Sequence, residues 1–302
     1  MGDYMEEGRG LGWLPDIPKA EDYSPQHPEV APLLKKTKAA AVARIQAGGE
    51  KAPVAAKLSA AVDLRQWFSP IENQGSLGSC TANAVVALLE YFERRASGKH
   101  VDASRLFVYK AERNLLGWTG DTGAYLRTAM EALVLFGAPP ESYWPYDGSP
   151  AATNTRFEVE PSSFCYAFGA NYQAIKYFRL DPNGTSPEDI LQNIKRSLAG
   201  GFPSIFGFPV YSEYDNPLPG ALIAYPAPGS NYRGGHANVA AGYDDNKMIN
   251  ADKGALLVRN SWGPNWGDAG YGWMSYRYVT AALAVDWWTM ISAKWVDTGQ
   301  FQ

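Results

Sequence analysis

The chain has 302 residues, enough for one large domain or two modest ones around a sizeable core. Its net charge of −4 excludes the basic footprint of a nucleic-acid binder or of a protein drawn to anionic membranes, and leaves soluble partners as the default. Two cysteines and three histidines, with no C-x-x-C or H-x-x-x-H spacing and no phosphate- or dinucleotide-binding fingerprint, point to a protein with no metal, no nucleotide cofactor and no disulfide framework.

In chain order, residues 1–12 (MGDYMEEGRGLG) lack the apolar core of a secretory signal, and no later stretch reaches the length of a membrane span. A cytoplasmic protein is the expectation. Residues up to about 35, rich in Pro, Asp and aromatics, read as an extended arm with local turns. The Ala/Lys run that follows predicts a helix from about Pro32 to Gln46, stopped by Gly48-Gly49 and continued by a linker. From Val62 the pattern changes to short signals separated by Gly and Pro. Ser79 reads as the N-cap of a helix on which Val85, Leu88, Leu89 and Phe92 recur at helical spacing until Ser97-Gly98. A second helix is predicted over Ala124 to Phe136, closed by Gly137, and residues 139–160 read as a long surface connection.

The other half is richer in strand signals: CYAFGANYQAIKYFRL, FPSIFGFPVY, HANVAAGYDD, GALLVRNSW and YGWMSYRYV, with a helix over Pro187 to Leu198 between the first two. Helices first and strands second give an α+β chain without internal repeats.

Four residues carry candidate chemistry. Cys80 opens the first helix, where the dipole and unpaired N–H groups favour a thiolate, although a free cysteine is as often a small buried residue. His236 stands at the start of an apolar strand behind two glycines that let another chain approach closely. If the cysteine has a histidine base, His236 is the best candidate, because His27 lies in the arm and His100 in a polar turn. Asn260 ends another strand, where its amide oxygen would fix the histidine tautomer and Trp262 would shield that bond. Gln74, six residues before the cysteine, would join the Cys80 backbone N–H in holding a developing oxyanion.

These blocks, Gln74-Gly75-Ser76-Leu77-Gly78-Ser79-Cys80, Gly235-His236-Ala237 and Asn260-Ser261-Trp262-Gly263, resemble the cysteine, histidine and asparagine blocks of the papain-like (cathepsin) cysteine peptidases, bacterial-type members included. VDLRQWFSPIENQG resembles the start of a mature peptidase of this kind, and DTGAYLRTAMEALVLFGAPPESYWPYD its second helix and the segment after it. The resemblance covers about residues 61–290. It implies a two-lobed fold, with a helical lobe over about 75–160, a β-rich, barrel-like lobe over about 161–290 and the cleft between them. The expected division is an arm over residues 1–60 and a catalytic domain over 61–298.

The resemblance also implies that Cys80 attacks peptide carbonyls as a thiolate paired with imidazolium His236, oriented by Asn260, with Gln74 at the oxyanion. Gly123 would pair with substrate backbone, Ala124, Tyr125 and Leu126 would edge a specificity pocket, and Gly235 and Trp262 would line the substrate cleft. Two features depart from the family: Leu77 stands where secreted relatives have a disulfide cysteine, and Thr81 replaces the aromatic after the nucleophile. The family's long helical propeptide motif is also absent from residues 1–60. The arm, anchored through Trp13-Leu14-Pro15-Asp16, is instead expected either to cover the cleft as an intramolecular inhibitor or to brace the outer surface. An endopeptidase acting on polypeptide substrates is the leading reading. A papain-fold acyl or amide transferase and a catalytically silent binding protein compete with it.

Overall fold

The computed structural model describes residues 9–40, 58–149, 155–172 and 175–302. A one-turn helix, α1 (Ala31–Leu34), lies in the arm, and strand β1 (Ala61–Asp63) leads into the main body. Three helices then form one layer: α2 (Cys80–Ser97), α3 (Arg105–Leu116) and α4 (Leu126–Phe136). The chain continues through α5 (Ser163–Tyr166), β2 (Lys176–Arg179), α6 (Pro187–Ala199), β3 (Ser204–Tyr211), α7 (Ser212–Asp215), β4 (Leu222–Ile223) and β5 (Tyr232–Ile249). It ends with β6 (Asp252–Arg259), β7 (Tyr271–Ser275), α8 (Arg277–Thr280), β8 (Val285–Ile291) and α9 (Ala293–Val296).

Among the described residues the sheet runs β2-β8-β3-β5-β6-β7-β4, with β1 added alongside β5. Neighbours pair antiparallel except β4 with β7. This is the α+β arrangement that the sequence order of helix and strand signals predicts.

Helix α2 is the hinge of the two layers. Every residue from Cys80 to Phe92 is buried, the polar Thr81, Asn83 and Glu90 included, because structure covers this part of the helix on every side. It packs on α3 and α4 and, across the interface, on β5 and β3. Left-handed Gly98 stops it, donating its N–H to the Arg94 carbonyl at 2.8 Å.

Several expectations need correction. Among the described residues the helix predicted over Pro32–Gln46 is one α turn, Ala31–Leu34, a break, and a 3₁₀ turn at 38–40: Thr37 folds its hydroxyl onto the Leu34 carbonyl (2.8 Å), and Lys38 N–H bonds the Phe301 carbonyl (2.8 Å). A short Ala/Lys segment gains too little from propensity to outweigh such tertiary bonds. The part of that prediction from residue 41 lies outside the described residues. CYAFGANYQAIKYFRL holds helix α5 and a 3₁₀ turn before its strand begins at Lys176. The aromatics that suggested a strand fill the helical lobe instead, with Tyr166 packed on Phe107 and Phe136. In YGWMSYRYV the strand stops at Ser275, whose hydroxyl accepts the Arg277 N–H and starts α8. Helix α3, capped by Ser104, and strand β8 were not predicted. Cys80 and Cys165 are both buried and free.

Candidate active site

Cys80 is the first residue of α2, and the loop before it is pinned from several sides. Gly75 adopts φ +61°, a turn that favours glycine. Gly78 N–H bonds the Asp121 carboxylate at 2.9 Å. Ser79 is not the side-chain cap expected of it: its hydroxyl pairs with the Tyr146 hydroxyl at 2.5 Å and accepts the Asn83 amide at 3.1 Å. Tyr146 also donates to the Gln74 carbonyl (2.9 Å), so the segment read as a surface connection reaches in to brace the nucleophile loop. The buried sulfur lies beside the Ala237 and Gly12 N–H groups. Burial pushes the thiol up to about 12, the Ala237 N–H works against that shift, and the neighbouring Glu112 carboxyl adds to it.

The thiol's contact with Ala237 puts it next to His236 on β5. The His236 ring stacks on Trp262 at 4.8 Å and meets Phe208 and Tyr214 edge-on. Its Nε2 is 2.8 Å from the Asn260 Oδ1, which also accepts the Ser261 N–H at 2.8 Å. The other ring nitrogen, Nδ1, has no hydrogen-bond partner among the described residues. Burial lowers the imidazole to about 4, partly offset by the bond to Asn260. In this arrangement the thiol and imidazole are both neutral near pH 7. Gln74 is held by its Oε1, which accepts the Ser261 hydroxyl (2.6 Å), and its Nε2 donates to the Leu77 and Gly10 carbonyls at 2.8 and 3.0 Å.

The Gly10 carbonyl belongs to the arm, which threads this site as an extended strand. Gly10 O also takes the Trp262 Nε1–H (3.2 Å), and Gly10 N–H bonds Gly75 O (2.8 Å). Gly12 and Trp13 donate to Gly235 O at 2.9 and 3.1 Å. Ala124 accepts from Leu14 (3.0 Å) and donates to Gly12 O (2.9 Å). The approach is close enough that an added Cβ would lie 2.0 Å from Leu77 O at Gly10, 1.9 Å from Gly78 O at Gly12, and 2.0 Å from Gly12 O at Gly123. Ion pairs secure both ends: Arg9 with Asp215 (3.7 Å), Asp16 with Arg127 (2.6 Å), and Asp22 with Arg127 and Arg179.

Cys80, His236, Asn260, Gln74, Gly235 and Trp262 therefore meet at one place. Gly123 lies there as well, but its neighbour Ala124 makes the strand-like bonds. Tyr125 leans on Trp118 (5.6 Å), and Leu126, like Ala124, is buried with the arm in place. Sequence reasoning missed Tyr214, which packs between His236, Trp262 and Trp266, although its segment was read as a cleft rim. It also missed Asp286, a wholly buried acid under Trp13. The available signal was a lone carboxylate inside the apolar run AVDWWTMI.

Residues 58–285 match the family model described as papain family cysteine protease. The chain is 31% identical to xylellain, a cysteine protease from Xylella fastidiosa, whose crystal structure superposes with a TM-score of 0.74 over 95% of this chain and 97% of that one. It is 35% identical over 233 residues to an uncharacterized peptidase C1-like protein of Acanthamoeba polyphaga mimivirus, covering 75% of this chain and 71% of the viral one. Cathepsin K from Gallus gallus is 29% identical over 223 residues, covering 70% of this chain and 57% of that relative's length.

Proposed function

This chain belongs to the papain family of cysteine proteases, and from that premise we propose that it is an endopeptidase working through Cys80, His236, Asn260 and Gln74, held latent by its own N-terminal arm. The observation that carries the reading is the 2.8 Å bond from His236 Nε2 to Asn260, which leaves Nδ1 free for the thiol beside Ala237.

In the proposed reaction the arm leaves the cleft, water and substrate enter, and the Cys80 proton passes to Nδ1 to give a thiolate–imidazolium pair stabilised by the start of α2. The sulfur bonds to the peptide carbonyl carbon. The carbonyl oxygen gains the negative charge and accepts from Gln74 Nε2 and the Cys80 N–H. The tetrahedral adduct collapses, the C–N bond breaks, and His236 gives its proton to the leaving amine, which leaves a thioester. A water then loses a proton to His236 and adds to the thioester carbon, and the Cys80 sulfur departs as the carboxylic acid forms.

Two features support the endopeptidase and latency readings. The arm passes on both sides of Cys80, from Gly10 at Gln74 to Leu14 at Ala124, so the cleft admits a continuous chain. Gly10 O also takes the Gln74 donor assigned here to the oxyanion.

Hydrolysis of a denatured protein, compared between the full chain, a form lacking residues 1–40 and Cys80→Ala versions of each, tests the reading. Internal cuts should be slow in the full chain, faster by an order of magnitude or more without the arm, and absent in both alanine variants. Cleavage surviving Cys80→Ala would overturn the assignment of the nucleophile, and no gain without the arm would overturn latency.

A further inference from the structure

Trp13 is the large side chain that the arm buries in the cleft, and it is 5% exposed. The slot around it exists because two adjacent strands give up their side chains. A Cβ on Gly207 of β3 would come within 1.9 Å of the indole Cε2, and one on Gly235 of β5 within 2.0 Å of the Trp13 carbonyl and 3.0 Å of Cε3.

The floor is Asp286, a non-glycine residue at φ +61°, a strained conformation that persists where the surroundings demand it. Its Oδ2 accepts the Trp13 Nε1–H at 3.1 Å. Its Oδ1 accepts the Trp288 Nε1–H at 2.7 Å and pairs with Arg179 at 3.2 Å, and Arg179 also binds Asp181. The carboxylate's charge is thus answered from behind, and its forward oxygen is offered to a neutral donor.

Resting on the reading of the arm as occupant of the substrate cleft, we propose that this slot selects a tryptophan side chain in polypeptide substrates and that Asp286 is the residue that sets the preference. The width fits a flat bicyclic ring. Oδ2 rewards an indole N–H that Phe, Leu and Met lack, and the ion pair with Arg179 removes the advantage a Lys or Arg side chain would have over a buried acid.

The first test uses the full chain and reads alkylation of Cys80 by iodoacetamide, which requires the arm to lift. In Asp286→Asn the single amide oxygen is claimed by Arg179 and Trp288, so the amide NH₂ turns toward the slot and confronts the indole N–H. Trp13→Phe and Asp286→Asn should each raise the alkylation rate about tenfold, the effect of one lost hydrogen bond, and the double variant should gain little more than either. Wild-type rates in Trp13→Phe, or a Trp13→Arg arm that docks as firmly as the native one, would overturn the proposal. If Asp286→Asn fails to fold, the Trp13→Phe rate alone decides between these outcomes.

The second test digests a peptide mixture with full-length Trp13→Phe enzyme and reads the products by mass spectrometry. Tryptophan should be enriched about tenfold over phenylalanine at one fixed distance from the cut bond, and the enrichment should vanish when Asp286→Asn is added. Cuts with no tryptophan preference would make the slot a socket for the arm alone and overturn the proposal. Absence of any cutting would sink the peptidase reading instead, and the alkylation comparison would then decide the slot.

Discussion

At the scale of single residues, burial sets the charge state of Cys80 and His236, the pair proposed as catalytic. Burial lowers His236 to about 4 and raises Cys80 to about 12, so the closed site favours a neutral imidazole and a neutral thiol. The sign for pH follows from linkage. A histidine whose buried value lies below its ordinary 6.5 binds a proton more readily when it is exposed, so the closed state of the site is favoured fully above about pH 6.5 and weakens as pH falls toward 4. The contribution lost is on the order of 3 kcal/mol. Iodoacetamide labelling corrected for free cysteine should therefore accelerate between pH 6.5 and 4, and His236→Gln should flatten that rise. Once the arm is off, Asn260→Ala should lower kcat by about ten- to a hundredfold through the misoriented ring, and Gln74→Ala by about a hundred- to a thousandfold, both read in steady-state kinetics. Cys80, His236, Asn260 and Gln74 stand out in the sequence as candidates because each sits in a short block of distinctive composition, and the fold brings those blocks together. Asp286 does not, because its partners come from the arm, β2 and its own strand, and no local spacing links them.

At the scale of elements, the strands hold the site and the arm adds one more strand to it. Long periodic segments were readable: α2, α6 and β3 fall within a residue or two of the sequence pattern. The failures cluster where aromatic side chains serve tertiary packing. The Phe/Tyr-rich stretch at 164–172 has strand composition and turn structure, because its rings fill the helical lobe. Gly207 is a strand glycine with no local explanation, and Trp13 supplies it. A Gly207→Val exchange should leave the sheet intact, since valine favours strands, yet drive the indole out and speed Cys80 alkylation by tenfold or more, with unchanged far-UV circular dichroism as the control. Loss of the circular dichroism signal would show that the glycine serves the sheet itself. At the other end of the arm, Arg127 bonds Asp16 Oδ2 at 2.6 Å and the Ile17 carbonyl at 3.0 Å while lying over Trp288. Arg127→Met should loosen docking by a few-fold, with the largest difference from wild type at low salt.

At the scale of the whole molecule, the arm is stitched into the body well beyond the cleft. Val30, Leu34 and Ala39 are buried, Glu29 pairs with Lys176 at 2.6 Å, and Lys38 N–H bonds the Phe301 carbonyl at 2.8 Å. A sequence reading that divides the chain near residue 60 cannot see this, because the contacts join residues hundreds of positions apart. A proteolytic nick introduced between Ala40 and Leu58 should therefore leave the arm bound: the pieces should co-elute on gel filtration and Cys80 should stay slow to alkylate until mild denaturant or acid is added. Immediate fast labelling after the nick would show that the covalent link alone holds the arm in place.

That link has a kinetic meaning of its own. Because the blocking strand is part of the same chain, every cleft faces its competitor at a fixed effective concentration, of millimolar order for short tethers, whatever the dilution of the enzyme. The proposed latency would then be a first-order property of one molecule. On the proposed reading, a dilute free peptide would open few clefts, whereas a substrate presented densely on a surface or in an aggregate would compete on equal terms, and the crowding of the target would become part of what is selected.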